Sequence, residues 1–333
     1  MRSRTAVRTA LALPALAVLA LALCCRSAPL TAAIHPDDCL AGHRAEQSHE
    51  AACYSLVQDG RKRTLRVYVP SGRGAPLPVV LVLHGGGGTG GGMEWLTRRG
   101  FNRIADRDGA VIVYPDGIEH GWNDGRSANR SAAAAAVDDL SFLRALPQQL
   151  APLHPIDPEH LYVTGISNGG MMSYRLACDA APVFAAAAPV AANMAVELAG
   201  ACHPARAVPL LIMDGVDDPI MPWKGGTIRV LWMTRGTVLS AEDSAARWLA
   251  LDDCGALEPQ ALITAEPADG TVAAPRVARC GTEGEVRLYE IRGGGHTWPM
   301  GEPYLGRRIV GRVSQALDAN ETIWAFFRRH SLR

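Results

Sequence analysis

Lysine is almost missing from this chain. Lys62 and Lys224 are its only two in 333 residues. No Lys-Ser or Lys-Thr therefore follows the glycine-rich stretch at 85–92, and a phosphate-cradling P-loop is excluded. A surplus of either charge is missing as well: 33 basic residues face 33 acidic ones. That balance leaves no electrostatic footprint for nucleic acid, and no nucleic-acid partner is expected. Beyond residue 33 no two cysteines stand two to four apart, the spacing that zinc sites prefer, so no metal is expected. No apolar stretch after Cys25 is long enough to cross a bilayer. No Pro- or Ser-rich linker marks a second domain or an appended binding module. With 48% hydrophobic and 20% charged residues, the chain can bury a sizeable core, and disordered or fibrous classes are excluded.

What is present begins with a targeting segment. Arg2, Arg4 and Arg8 precede an uncharged Leu- and Ala-rich run from Thr9 to Cys25, and small residues follow at Thr31-Ala32-Ala33. The run falls short of the roughly 20 residues of a membrane span, and Pro14 interrupts it, so a removable signal peptide over 1–33 is expected rather than a stable anchor. Leu21-Ala22-Leu23-Cys24 outlines a lipid-attachment site, although Leu23 is bulkier than such sites usually carry. The expected location is extracellular or periplasmic. Six cysteines remain after the signal: Cys39, Cys53, Cys178, Cys202, Cys254 and Cys280. Export favours disulfides, and pairing successive cysteines, 39 with 53, 178 with 202 and 254 with 280, asks least of the chain.

A lead segment over 34–54 holds His35, Asp37, Asp38, His43 and His49, read as solvated rather than metal-ligating. From Arg63 the pattern becomes regular. Thr64–Val69 alternates as a half-exposed strand, and Pro78–Leu83 and Ala110–Tyr114 are continuous apolar runs of buried strands. Helices are expected over 93–107, 137–150, 168–178, 241–251 and 313–329, and further strands over 160–164, 185–190, 208–213 and 285–291. Strand and helix taking turns predicts an α/β fold with a mainly parallel central sheet and helices on both faces. Residues 132–136 read as a loop, and 255–284 as a looser insertion.

The strongest local signal is Gly165-Ile166-Ser167-Asn168-Gly169, a G-x-S-x-G between a buried strand and a helix. Such a turn holds the central serine in a strained, exposed conformation, and small residues on either side let the backbones pass. A serine needs a base. In hydrolases built this way an acid and then a histidine follow in the chain. Of the later histidines, His296 lies in Gly293-Gly294-Gly295-His296-Thr297-Trp298-Pro299, between the last strand and the last helix. The acid comes from Asp214-Gly215-Val216-Asp217-Asp218-Pro219, where spacing favours Asp218 only slightly over Asp217. Amide donors for an oxyanion are expected at Asn168, which follows the nucleophile, and at Gly86 in His84-Gly85-Gly86-Gly87-Gly88, with Gly85 close behind.

These residues, together with Tyr114-Pro115-Asp116-Gly117 and Val137-Asp138-Asp139, resemble the secreted polyhydroxybutyrate depolymerase and feruloyl esterase family over roughly residues 55 to 330. The resemblance implies an α/β-hydrolase esterase domain over 55–333, cofactor-free hydrolysis of small or oligomeric carboxylic esters, and a triad of Ser167, Asp218 and His296. It also implies a disulfide between Cys178 and Cys202. Asp214 and Val216 depart from the His and Thr common in that family's acid loop. Trp122, Trp223 and Trp298 are expected as an apolar substrate wall. Two other readings use the same residues: a serine peptidase on this triad, and a nucleotide-binding oxidoreductase in which Gly86–Gly91 forms G-x-G-x-x-G and Asp116 follows at the next strand's end.

Overall fold

The computed structural model describes residues 33–37, 51–72, 74–127, 137–266, 268–281 and 284–332. The expected signal peptide, Cys39, His43, His49 and the 132–136 loop lie outside these residues, apart from Ala33 at the end of the signal.

Apolar runs become adjacent strands because each can be covered on both faces. In chain order the strands are β1 (His35–Pro36), β2 (Ala52–Gln58), β3 (Arg61–Tyr68), β4 (Leu77–Leu83), β5 (Val111–Pro115), β6 (Ile156–Ile166) and β7 (Ala186–Val190). They continue with β8 (Leu210–Gly215), β9 (Gly226–Val230), β10 (Met233–Val238), β11 (Glu258–Pro259), β12 (Ile263–Thr264), β13 (Val272–Cys280) and β14 (Gly284–Arg292). The sheet runs β1-β2-β3-β5-β4-β6-β7-β8-β14-β13-β11, with β12 also on β13. The six strands β5-β4-β6-β7-β8-β14 are mutually parallel, and the strands beyond them are antiparallel. The protein thus has the expected mainly parallel α/β sheet.

Among the described residues the α-helices are α1 (Gly90–Leu96), α2 (Gly100–Asp108), α3 (Asp139–Leu150), α4 (Asn168–Asp179), α5 (Val196–Ala201), α6 (Ala241–Leu251), α7 (Arg307–Val310) and α8 (Ala319–Phe327). Alternate strand residues face opposite layers. Val79, Leu81 and Leu83 pack with Phe142 of α3, Met172 of α4 and Trp248 of α6. Val80 and Val82 pack with Phe101 of α2 and Phe327 of α8. Among the described residues no helix is long and apolar enough to cross a membrane.

Several expectations are corrected. The single helix over 93–107 is two, because Arg98 and Arg99, just before Gly100, adopt left-handed φ of 55° and 53°. The helix over 313–329 shortens to α8, since Ser314 is drawn into tertiary bonds with Met300 N and Thr271 Oγ1. The presumed loose insertion at 255–284 supplies β13, paired with β14 along all nine residues. The expected boundary at residue 54 falls inside β2. Disulfides join Cys178 to Cys202 and Cys254 to Cys280, as the local pairing predicts.

Candidate active site

Ser167 sits between β6 and α4 with φ 56° and ψ −119°. L-residues seldom adopt such a conformation, and it persists only where the surroundings enforce it. The glycines show how. A Cβ at Gly165 would press into Leu83 O and the Gly169 carbonyl, and one at Gly169 would press into the carbonyls of Leu83 and His84. Strand β4 therefore passes too close for any larger residue. Ser167 N donates to Val190 O at 2.9 Å, which holds the turn against β7, and the Ser167 side chain remains half-buried rather than sealed.

The acid and histidine loops leave adjacent parallel strands, β8 and β14, whose register pairs Gly215 with Ile291. Val216 N donates to Ile291 O at 3.0 Å, and Asp217 N donates to Gly294 O at 3.0 Å. His296 Nδ1 lies 2.7 Å from Asp218 Oδ2, and both side chains are nearly closed to solvent. The other oxygen, Asp218 Oδ1, accepts from Ile220 N and Met221 N, each at 2.7 Å. The carboxylate is thus clamped by two amides while it faces the imidazole. Asp217 is exposed, so of the two candidates Asp218 meets His296. Since Nδ1 is engaged by Asp218, Nε2 is left for proton transfer. Strands β6, β8 and β14 run parallel, with only β7 between β6 and β8. Ser167, Asp218 and His296 therefore emerge at the same carboxyl edge. Among the described residues Ser167 Oγ makes no hydrogen bond to His296.

The glycine-rich loop after β4 lies beside the serine. A Cβ at Gly85 would contact Ser167 Cβ at 3.5 Å, and one at Gly86 would contact Asn168 Cβ at 3.8 Å. His84, unassigned from sequence, organises this loop. Gly117 N donates to its Nε2 at 2.9 Å, so the ring proton resides on Nδ1 and is donated to Gly85 O at 2.7 Å. Gly88 N donates to the same oxygen at 3.0 Å. A planar trans peptide points its N–H opposite to its C=O. Holding Gly85 O inward therefore turns the Gly86 amide outward, and that amide has no protein acceptor among the described residues. Burial drives the His84 pKa down to about 4, against the raising effect of its Gly85 bond, so the ring stays neutral.

Asn168 ties the start of α4 to the preceding loop: its side chain accepts from Trp122 N at 2.7 Å and donates to Trp122 O at 3.0 Å and Asp124 Oδ2 at 2.5 Å. Asp116 accepts from Gly90 N and Thr64 Oγ1, each at 2.7 Å, and so holds the first turn of α1. The tryptophan wall is corrected. Trp122 and Trp298 are fully buried, with Trp122 Nε1 bonded to His84 O and Trp298 Nε1 bonded to Asn320 Oδ1. Of the three, only Trp223 keeps partial exposure.

A sheet of six parallel strands, a strained serine turn after one of them and a His–Asp pair on loops from two others define an α/β-hydrolase. Residues 58–301 match the family model described as "Putative esterase", and the chain belongs to that family, making it a carboxylic ester hydrolase. It is 31% identical over 288 residues to the putative esterase NocK of Nocardia uniformis subsp. tsuyamanensis, covering 80% of this chain and 79% of that protein. It is 29% identical to feruloyl esterase B of Piromyces equi, covering 68% of this chain and 40% of that one. With poly(3-hydroxyalkanoate) depolymerase C of Paucimonas lemoignei the identity is 30%, over 37% of this chain and 30% of that protein. The acetyl xylan esterase from Aspergillus awamori superposes with a TM-score of 0.51 at 14% identity, over 80% of this chain and 94% of that one, and so shares the fold.

Proposed function

We propose that this chain is an exported serine esterase in which Ser167, His296 and Asp218 act as nucleophile, base and acid. His296 Nε2 takes the Ser167 proton as Oγ attacks the ester carbonyl. The amides of Gly86 and Asn168 hold the oxyanion, and Asp218 steadies the imidazolium. The alkoxide leaves with the proton from His296, and water then repeats the cycle on the acyl-enzyme. The observation that carries this reading is the 2.7 Å bond between His296 and Asp218, at the same sheet edge as the strained Ser167. The formed disulfides and the basic-then-apolar N-terminus support export. Feruloyl and hydroxyalkanoate esters are the substrate classes suggested by the relatives, and a soluble short-chain or aromatic ester is the leading reading. The test is turnover of p-nitrophenyl acetate and butyrate, methyl ferulate and hydroxybutyrate oligomers by wild type and Ser167→Ala. Activity that survives in Ser167→Ala, or cleavage of peptides without esters, overturns the reading.

A further inference from the structure

Strands β9 and β10 form a separate hairpin between the acid loop and α6. It hangs from the candidate site: Arg229 N donates to Ile220 O, and Ala241 N to Trp223 O. Its turn is two residues long, Leu231-Trp232, with Val230 paired to Met233. Leu231 takes a φ of 55°. A two-residue hairpin with positive φ at its first corner favours glycine there. This chain instead places Leu and Trp at the tip, giving up favourable turn chemistry for apolar side chains. Trp232 is 85% exposed and Leu231 61%, and Met233 beside them is also exposed.

The charge around this tip is one-sided. From Met221 to Ser240 the chain carries Lys224, Arg229 and Arg235 and no acidic residue. Among the described residues none of the three pairs with a carboxylate. Of the carboxylates near the hairpin base, two are paired with other cations and two accept from serine hydroxyls. Asp124 pairs with Arg126, Glu197 accepts from Ser127, Glu242 pairs with Arg276 and Asp243 accepts from Ser240. Three cations without a carboxylate partner, one of them bonded to Met233 Sδ, thus lie behind an exposed Trp-Leu-Met tip on a chain with no net charge.

We propose that the β9–β10 hairpin is an interfacial anchor that docks the protein onto an anionic lipid surface, with Trp232 entering the headgroup layer and Lys224, Arg229 and Arg235 meeting its charge. Amphipathic aromatic rings favour that depth, and each nearby cation strengthens attachment to an anionic leaflet. Docking would hold the loop that bears Asp218 next to the interface. The proposal does not depend on ester hydrolysis, because its readout is binding.

The test is co-sedimentation of the full processed chain with vesicles of phosphatidylcholine alone and of phosphatidylcholine mixed with phosphatidylglycerol, at low and high salt. Binding to the anionic vesicles is expected to exceed binding to the neutral ones and to fall with salt. Each cation replaced by Ser should weaken it by roughly fivefold. Trp232→Ala should weaken it further while leaving turnover of p-nitrophenyl acetate and the thermal midpoint unchanged. Equal binding to both vesicles, wild-type binding by Trp232→Ala, or adsorption only to uncharged polyester particles overturns the proposal.

Discussion

His296 and Asp218 are 78 residues apart in sequence and 2.7 Å apart in space, and the two are brought together by neighbouring strands rather than by local structure. The carboxylate also accepts two backbone amides on its far oxygen, so its orientation is set independently of the histidine. A ring steadied in this way presents the correct tautomer for taking a serine proton.

Replacing Asp218 by Asn should therefore lower kcat for p-nitrophenyl butyrate by on the order of 10³–10⁴ with little change in KM. The exposed Asp217, which bonds the histidine loop only through its backbone, should tolerate Asn within a few-fold. Steady-state kinetics of the two variants check this, and the reverse ranking would move the acid to Asp217.

His84 gives a prediction of a different kind, since in the proposed mechanism it acts through a peptide plane rather than by touching substrate. His84→Leu removes one of the two donors that hold Gly85 O, leaving the Gly88 amide, and so loosens the peptide plane that aims the Gly86 amide. The expected loss is about 10²-fold in kcat, the scale of one oxyanion donor, with KM nearly unchanged. The same histidine shapes stability. Its pKa lies near 4 in the fold and about 6.5 in the unfolded chain, so the unfolded state binds the proton more readily. Stability from neutral His84 is complete above about pH 6.5 and is lost as pH falls toward 4, by up to about 3 kcal/mol. Urea titrations of both proteins across that window should show the stability of His84→Leu falling relative to wild type as pH rises.

Much of this site was legible in the sequence because its parts obey short-range rules. A buried apolar strand, a serine between glycines and a following helix force one backbone path, and Ser167 was found on it. His296 was found through its glycines, which the structure explains: Gly293 bends at φ 74°, and Gly295 packs against the Val310 carbonyl where a Cβ has no room. What depended on distant partners was not legible. Neither the inward burial of Trp122 and Trp298 nor the proton position on His84 leaves a mark in local spacing. The break at Arg98-Arg99 and the Leu231-Trp232 turn were hidden because both place non-glycine residues at positive φ.

Gly295→Ala tests the close approach. The added methyl has to displace the segment at 310–312, whose carbonyls accept from His296 N and Gly295 N. Displacing that segment moves the imidazole. A fall in kcat of at least about tenfold, with a lower thermal midpoint, is expected, since a misplaced base costs rate steeply. Gly255→Ala, where nothing lies within 4 Å, serves as the silent control.

Asp252 opposes His84. It caps α6 beside the Cys254–Cys280 disulfide. Burial raises its pKa to about 7, against the lowering effect of its bond from Val208 N. Between its unfolded value of about 3.9 and pH 7 the folded state holds the proton more tightly, so stability falls as pH rises through that interval, by up to about 4 kcal/mol. Over roughly pH 4 to 6.5 this slope and that of His84 largely cancel in the wild-type protein, and above it the Asp252 penalty remains. Asp252→Asn keeps an oxygen for Val208 N but cannot ionise. The variant should match wild type near pH 4, exceed it by a widening margin up to pH 7, and show a stability curve that rises where the wild-type curve is flat. Chemical denaturation at a series of pH values reads the difference directly, and a margin that does not grow with pH would assign the proton to another group.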